Sequence, residues 1–324
     1  MAQPTGSFST YQGKGIRENL ADVIYNISPT DTPFMNNIGR DTASNTYYEW
    51  QTDSLAAPDG NNAAVEGDDA PGVASSPTTR LGNYTQISRK TVTITGTMEA
   101  VNKAGRRSEL AYQLAKRGAE LKRDMETILT SSQAAVAGSD SVARKTAGFE
   151  AFIMAPTALR GATGADGTLS GGTAGFPNAA PTDGTQRALT ETLLKQGLQA
   201  VWTAGGDTDI VMVGASNKQV ISGFTGIATR FRDVPAGKQA QIIGAADVYV
   251  GDFGQVTIVP NRFQRARSAL LLDTQYAAVA YLRPFQTIEL ARTGDSQKRE
   301  LLVEYGLKVH NAQAQGIVAD LLTP

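Results

Sequence analysis

Val92 and Ile94 alternate with Thr91, Thr93 and Thr95, the period of a half-buried strand. The run that holds them, NYTQISRKTVTITGT, answers an earlier strand-like run, NTYYEWQTDSL, and together they predict a long hairpin over Asn45 to Ala100. Its tip, Ala56 to Gly82, is rich in Ala, Gly, Pro, Asp and Asn, and its only large apolar residues are Val65, Val73 and Leu81. A structureless stretch of ~20 or more residues inside a compact domain points to function. A hairpin that cannot bury its own tip must leave it mobile or lay it on something else. Another copy of the same chain is the expected support.

Helical spacing appears elsewhere. After a polar arm, Met1 to Gly15, residues Ile16, Leu20, Val23, Ile24 and Ile27 share one stripe and predict a short helix. Pro29 and Pro33 break it. Phe34, Met35 and Ile38 then form a small apolar plug. Gly105 precedes the clearest helix, from Arg106 to about Ser132. Leu110, Leu114, Leu121, Met125, Ile128 and Leu129 recur on one stripe with Gly118. Arg107, Lys116, Arg117, Glu120, Lys122, Arg123 and Glu126 occupy its other faces. The pattern predicts a spine packed along one side, roughly 40 Å long.

Pro156 to Gly184 is dominated by Gly, Ala, Thr and Pro and reads as a surface loop or linker. Leu189, Leu193, Leu194, Leu198 and Val201 predict a helix that Gly205 and Gly206 close. TDIVMVG is an apolar run of strand length, and SNKQVISGF begins another helix in which Ser216 and Gln219 fit a capping box. A basic loop with Arg230, Arg232 and Lys238 follows. The last third is strand-rich: DVYVGDFGQVTIVP, SALLLDTQYAAVAYL, QTIEL and RELLVEYGLKVH. In the final run Leu301, Val303, Tyr305, Leu307 and Val309 share one face, and Glu300, Glu304 and Lys308 the other. NAQAQGIVADLL reads as a short closing helix or an apolar tail.

Composition narrows the function classes. A length of 324 residues suggests ~2 domains. Thirty basic residues oppose thirty-one acidic ones, so no strong positive field for gripping nucleic acid exists. The absence of cysteine removes disulfides, thiolate nucleophiles and Cys-type zinc sites together. No secretory signal and no membrane-length apolar run is visible. His310 is the lone histidine and sits at the polar end of a strand, without a GxSxG elbow or other nucleophile signature. No Walker or GxGxxG pattern occurs. Catalytic, cofactor and metal sites are therefore not expected. Asp53, Asp59, Glu66, Asp68 and Asp69 are the densest carboxylates, and they lack the spacing of a calcium loop. They read as an acidic contact for a basic patch on a neighbour, or as plain solubility. Basic clusters stand at Lys103, Arg106 and Arg107, at Arg230 and Arg232, and at Arg262, Arg265 and Arg267, none interleaving aromatic residues as a base-stacking platform would. Asp59, Glu66, Asp68, Asp69, Arg106, Arg107, Arg230 and Arg232 are the candidate inter-subunit contacts.

Taken in order, these parts resemble the major capsid proteins of tailed bacteriophages, with the Hong Kong 97-like α+β fold. The strings VIYNISPTDTPFMNNIG, YYEWQTDSL, DFGQVTIVPNRF and LLVEYGLKVHNAQAQGIVADL carry the likeness. The resemblance implies an N-terminal arm over 1–44, an extended loop over 45–100, and a spine helix with peripheral domain over 101–186. An axial domain over 187–260 and a strand-rich return over 261–324 complete it. It implies a shell of hexamers and pentamers in a virion, assembled in the cytoplasm of a bacterial host. A separate scaffolding protein, a decoration protein and a portal would be partners, packaged DNA would be met only non-specifically, and no membrane is involved. The prototype of this fold cross-links through a lysine on the extended loop, yet no lysine occurs here between Gln51 and Ser88. A nanocompartment shell of the same fold is the rival reading. A phage tail-tube protein is less compatible with the long helix.

Overall fold

The computed structural model describes residues 29–67, 69, 72, 75, 77–224 and 248–323. The polar arm, the stripe from Ile16 to Ile27, Asp68, and the segment with Arg230, Arg232 and Lys238 lie outside the described residues.

Pro33 opens the first described helix, α1 (Pro33–Asn37), where its fixed φ and missing N–H suit the first turn. Phe34 and Ile38 are buried and Met35 packs on the same core, as the plug expected. The strands β1 (Gly39–Thr42), β2 (Tyr47–Thr52), β3 (Thr79–Tyr84) and β4 (Gln86–Thr95) follow, then the helices α2 (Gly96–Ala100), α3 (Glu109–Leu129) and α4 (Phe149–Phe152). Three short strands cross the glycine-rich stretch: β5 (Ala158–Leu159), β6 (Thr168–Leu169) and β7 (Pro177–Ala179). Beyond them come α5 (Glu191–Thr203), β8 (Ile210–Val213), α6 (Ala215–Ser222), β9 (Val248–Gly251) and β10 (Gly254–Pro260). The chain ends through β11 (Ala269–Leu272), β12 (Ala277–Leu290), β13 (Ser296–Val309) and β14 (Gly316–Val318).

The expected hairpin is corrected in one respect. β2 pairs antiparallel with β3, Tyr47 opposite Tyr84 and Thr52 opposite Thr79, so Thr79 to Gly82 belong to a strand rather than to the tip. The second arm then breaks at buried Thr85. Its hydroxyl donates to Glu304 Oε1 at 2.9 Å and its N–H to the Thr46 carbonyl at 2.8 Å. Past this break β4 leaves β2 and joins a sheet in the order β1-β12-β13-β4. Along β4 Val92 is buried and Ile94 half-buried, while Thr91, Thr93 and Thr95 are exposed, which is the alternation read from the sequence.

The spine helix α3 spans 21 residues, roughly 30 Å, because the Ser108 side chain caps it by accepting the Ala111 N–H. It packs on β4 and β13. Leu121, Met125 and Leu129 are fully buried, whereas Leu114 and Ile128 are only half-buried. Glu126, expected on a charged face, is buried too. Replacing Leu121 by Ala is expected to cost ~2–5 kcal/mol, seen as a lower urea midpoint at unchanged slope. Tolerance of a charged residue at position 121 would refute the packed spine.

A six-stranded sheet runs β5-β14-β11-β8-β10-β9. Ile210 and Met212 of β8 face the core shared with α1 and α3, and Val211 and Val213 face the core under α5. Burial on both faces explains why this strand is continuously apolar. Three expectations fail in this part of the chain. Gly214, not Ser216, stands at the N-cap of α6, and no side chain caps it. QTIEL is the outer part of β12 rather than a separate strand. NAQAQGIVADLL is no helix: it makes a 3₁₀ turn, Ala312–Ala314, and then β14, which is zipped between β11 and β5. The polar face of β13 is not a solvent face either. Glu304 is buried, 2.5 Å from Arg144 and 2.7 Å from Arg283, and Glu300 is buried 3.4 Å from Arg89.

Candidate assembly surface

Aromatic packing fixes the root of the extended loop. Trp50 is buried, stacked on Tyr48 at 5.9 Å and tilted against Phe152 at 6.1 Å. Tyr48 also donates its hydroxyl to the Leu307 carbonyl at 2.8 Å. On the other side Tyr47, Tyr84 and Phe176 form a cluster with centroids 4.8–6.0 Å apart. The glycine-rich stretch reads as structural here. Gly175, with φ +90°, donates to the Arg80 carbonyl at 2.8 Å and accepts from the Gly82 N–H at 2.9 Å. A Cβ at Gly82 would fall on the Tyr47 ring, so only glycine lets this strand pass.

Beyond Thr52 the anchoring stops. Every residue from Asp53 to Gly67 is exposed, and none lies in a helix or strand. Leu55 is 99% exposed and Val65 76%, although both are apolar. Asp59, Glu66 and Asp69 stand on this loop. Asp59 closes a local turn by accepting the Asn61 N–H at 2.8 Å.

The basic candidates sit at the other end of β4. Lys103 is used internally: its ammonium donates to the carbonyls of Met98, Glu99 and Val101 at 2.9, 2.8 and 3.1 Å, stopping α2. Arg106 pairs with Glu109, whose carboxyl is held below its ordinary value by Gln113 and by Arg106 itself. Glu99 accepts the N–H groups of Glu109 and Leu110, which fixes the approach to α3. Arg107 is exposed at the mouth of a hollow of about 670 Å³ lined also by Val101, Asn102 and Lys103. Within one subunit no ion pair joins Asp59 or Glu66 to Arg106 or Arg107 among the described residues. Arg265 and Arg267 are structural, paired with Glu150, Asp183 and Asp320. Trp202 is largely exposed, with one ring face tilted against Phe253. His310 is half-buried just past β13, and burial and the nearby Lys308 push its pKa down.

The SU10 major capsid protein family matches residues 3–322. The chain belongs to the SU10 major capsid protein family. The major capsid protein of Escherichia phage Phieco32 is 32% identical over an alignment of 347 residues, covering 98% of this chain and 97% of that protein. In structure the chain is similar to the capsid asymmetric unit of cyanophage A-1(L), with TM-score 0.66, 15% identity and coverage of 97% and 99%. It is similar as well to a holo-SrpI encapsulin from Synechococcus elongatus, with TM-score 0.57, 11% identity and coverage of 97% and 96%. The fold is therefore the Hong Kong 97-like capsid fold, shared by phage and encapsulin shells. Fold alone does not separate the two; the full-length sequence relation does. The chain is a major capsid protein of a tailed phage, the structural subunit of its shell.

Buried carboxylates are what sequence reasoning missed. Glu126, Glu150, Glu304 and Asp320 are each nearly inaccessible. Only Glu126 left a trace. It follows Met125 on α3, roughly 100° round the helix and at the edge of the apolar stripe.

Proposed function

We propose that this subunit builds a closed shell of hexamers and pentamers in which the extended loop of one copy lies on the next. The observation that carries this is the loop itself. A rigid aromatic root presents fifteen consecutive exposed residues, 53–67, including exposed Leu55 and Val65, which gain burial only against another molecule. The acidic set Asp59, Glu66, Asp68 and Asp69 meets a basic patch of the neighbour. Arg107 is the better candidate, since Arg106 already holds Glu109; Arg230 and Arg232 offer a second basic set. Opposed charges of this kind guide register and association more than they add affinity.

The functional units are the arm over 1–44, the extended loop over 45–100, the spine and peripheral part over 101–186, the axial part over 187–260 and the return over 261–324. Family membership supports a structural rather than a catalytic role. Scaffolding, decoration and portal proteins are the expected partners, DNA is enclosed without sequence readout, and assembly occurs in the host cytoplasm. The test is co-expression with the neighbouring head genes and negative-stain imaging. Closed particles are expected; a product that stays monomeric under those conditions refutes the reading.

The shell is held without covalent links between subunits. Lys90 is the lysine nearest the loop, and its ammonium lies 2.7 Å from Asp124 Oδ2 on its own spine helix. Arg80 lies on β3 near the loop's root, but a guanidinium stays protonated and is a poor nucleophile. Without cysteine, disulfides are ruled out. Boiled in SDS, mature particles are expected to give one band near 34.2 kDa. A ladder that survives boiling would overturn this and point first to Lys90.

A further inference from the structure

Glu126 of the spine helix is buried, and its carboxylate takes partners from two other parts of the chain. Oε1 accepts the Phe34 N–H at 2.7 Å and Oε2 the Met35 N–H at 3.0 Å, both at the start of α1. Oε1 also accepts from Asn261 Nδ2 at 2.8 Å, just beyond β10 of the six-stranded sheet. Asn261 is itself oriented, because its Oδ1 accepts the Phe263 N–H at 2.9 Å. No cation balances the carboxylate among the described residues. Arg123, on the preceding turn, stacks over Phe263 at 5.1 Å, and Asp124 is paired with Lys90.

We propose that Glu126 is a three-way anchor that ties α1, the first described helix, to the spine helix and to the six-stranded sheet. A carboxylate suits the task because one group accepts several N–H bonds at once. These donors are neutral, so the join holds by hydrogen bonding rather than by a salt bridge. Burial pushes the Glu126 carboxyl up, and the donors from Met35, Phe34 and Asn261 oppose that rise. An amide in its place has a single acceptor atom and turns N–H groups toward donors, so at least one bond is lost. The apolar packing of Phe34 on Phe149, 5.7 Å apart, keeps the closed form dominant, so the change makes its transient opening more frequent without unfolding the subunit. The expected consequence is local opening of α1 at intact global stability.

The full chain reports this through chymotrypsin cleavage after Phe34, which is buried while the anchor holds. Glu126→Gln is expected to speed that cut at least roughly tenfold, the factor for losing one charge-assisted bond, with melting still cooperative. Asn261→Asp sets two carboxylates in contact. At about pH 8 both cannot ionise without repulsion, so the cut accelerates likewise. Near pH 5.5 a shared proton restores an O–H donor where the amide stood, and cleavage returns to about twofold of wild type at the same pH. Thr127→Ala, on the exposed side of the helix, serves as the unchanged control. Wild-type cutting rates in both variants would overturn the proposal. So would a pH-independent Asn261→Asp, or loss of cooperative melting in both variants, which would make the carboxylate a support of the core.

Discussion

Reversing the charge of Asp59, Glu66, Asp68 and Asp69 together is expected to leave the subunit folded and to abolish closed shells. Folding is spared because the described residues of this set lie on an exposed loop, and surface substitutions of that kind usually change stability by less than about 0.5 kcal/mol. Assembly is not spared, because the proposed contact would recur at every subunit boundary. A modest repulsion per contact is multiplied through the lattice, so the yield of particles falls steeply. Salt separates this from a folding defect. Wild-type assembly weakens as salt rises, since the screening length falls from ~10 Å at 0.1 M to ~3 Å at 1 M. In the reversed variant the same screening removes repulsion, and particles partly return. Adding Arg107→Glu to a lysine-substituted loop would set opposite charges face to face in swapped order, and is expected to restore shells. Sedimentation and negative-stain counts decide it. Wild-type yields from the reversed loop at low salt would remove the contact from the account.

Much of this surface could be read in the sequence because it depends on what the loop lacks. A stretch with so few apolar residues has no core to join, and the structure leaves Asp53 to Gly67 bare. The alternation along β4, the stripe of α3 and the apolar run of β8 were legible for the opposite reason: each is a local pattern imposed by burial. What was not legible depends on partners distant in the chain. The hairpin breaks at Thr85 because Glu304, 219 residues away, takes its hydroxyl. Residues 316–318 are a strand because β11 and β5 supply both edges, not because Gly-Ile-Val excludes a turn. Arg106 looks as available as Arg107 in sequence, yet Glu109, three residues on at the start of α3, takes it. Buried carboxylates are the extreme case. Glu304 sits on the face that alternation calls polar, and only the arrival of Arg144 and Arg283 from other segments makes that face interior.

Asp320→Ala is expected to cost ~3–5 kcal/mol, the range for breaking one side of a buried, hydrogen-bonded ion pair. The Asp320 carboxylate is buried and accepts from Gly161 N at 3.0 Å, Gly184 N at 2.8 Å and Arg267 Nη2 at 2.9 Å. It thereby pins both ends of the glycine-rich stretch, which has little apolar surface of its own, to the chain just past β14. Its backbone is left-handed, with φ +59°, so alanine adds strain of about 1–2 kcal/mol on top of the lost bonds. Asp320→Asn isolates the charge, since asparagine tolerates that backbone and keeps one acceptor; its cost should be smaller. Burial alone would raise this carboxyl, but the Gly161 and Gly184 amides and Arg267 outweigh it and hold the pKa below its ordinary value. A folded pKa below the unfolded one, ~3.9, means the group stabilises the native state fully above that pH. The contribution is then lost as pH falls through the folded value. Urea midpoints measured from about pH 6 down to about pH 3 are therefore expected to converge: wild type falls toward Asp320→Asn as the carboxylate protonates. Parallel curves with a constant gap would show that the charge of Asp320 carries none of the difference, leaving hydrogen-bond geometry alone to hold the segment.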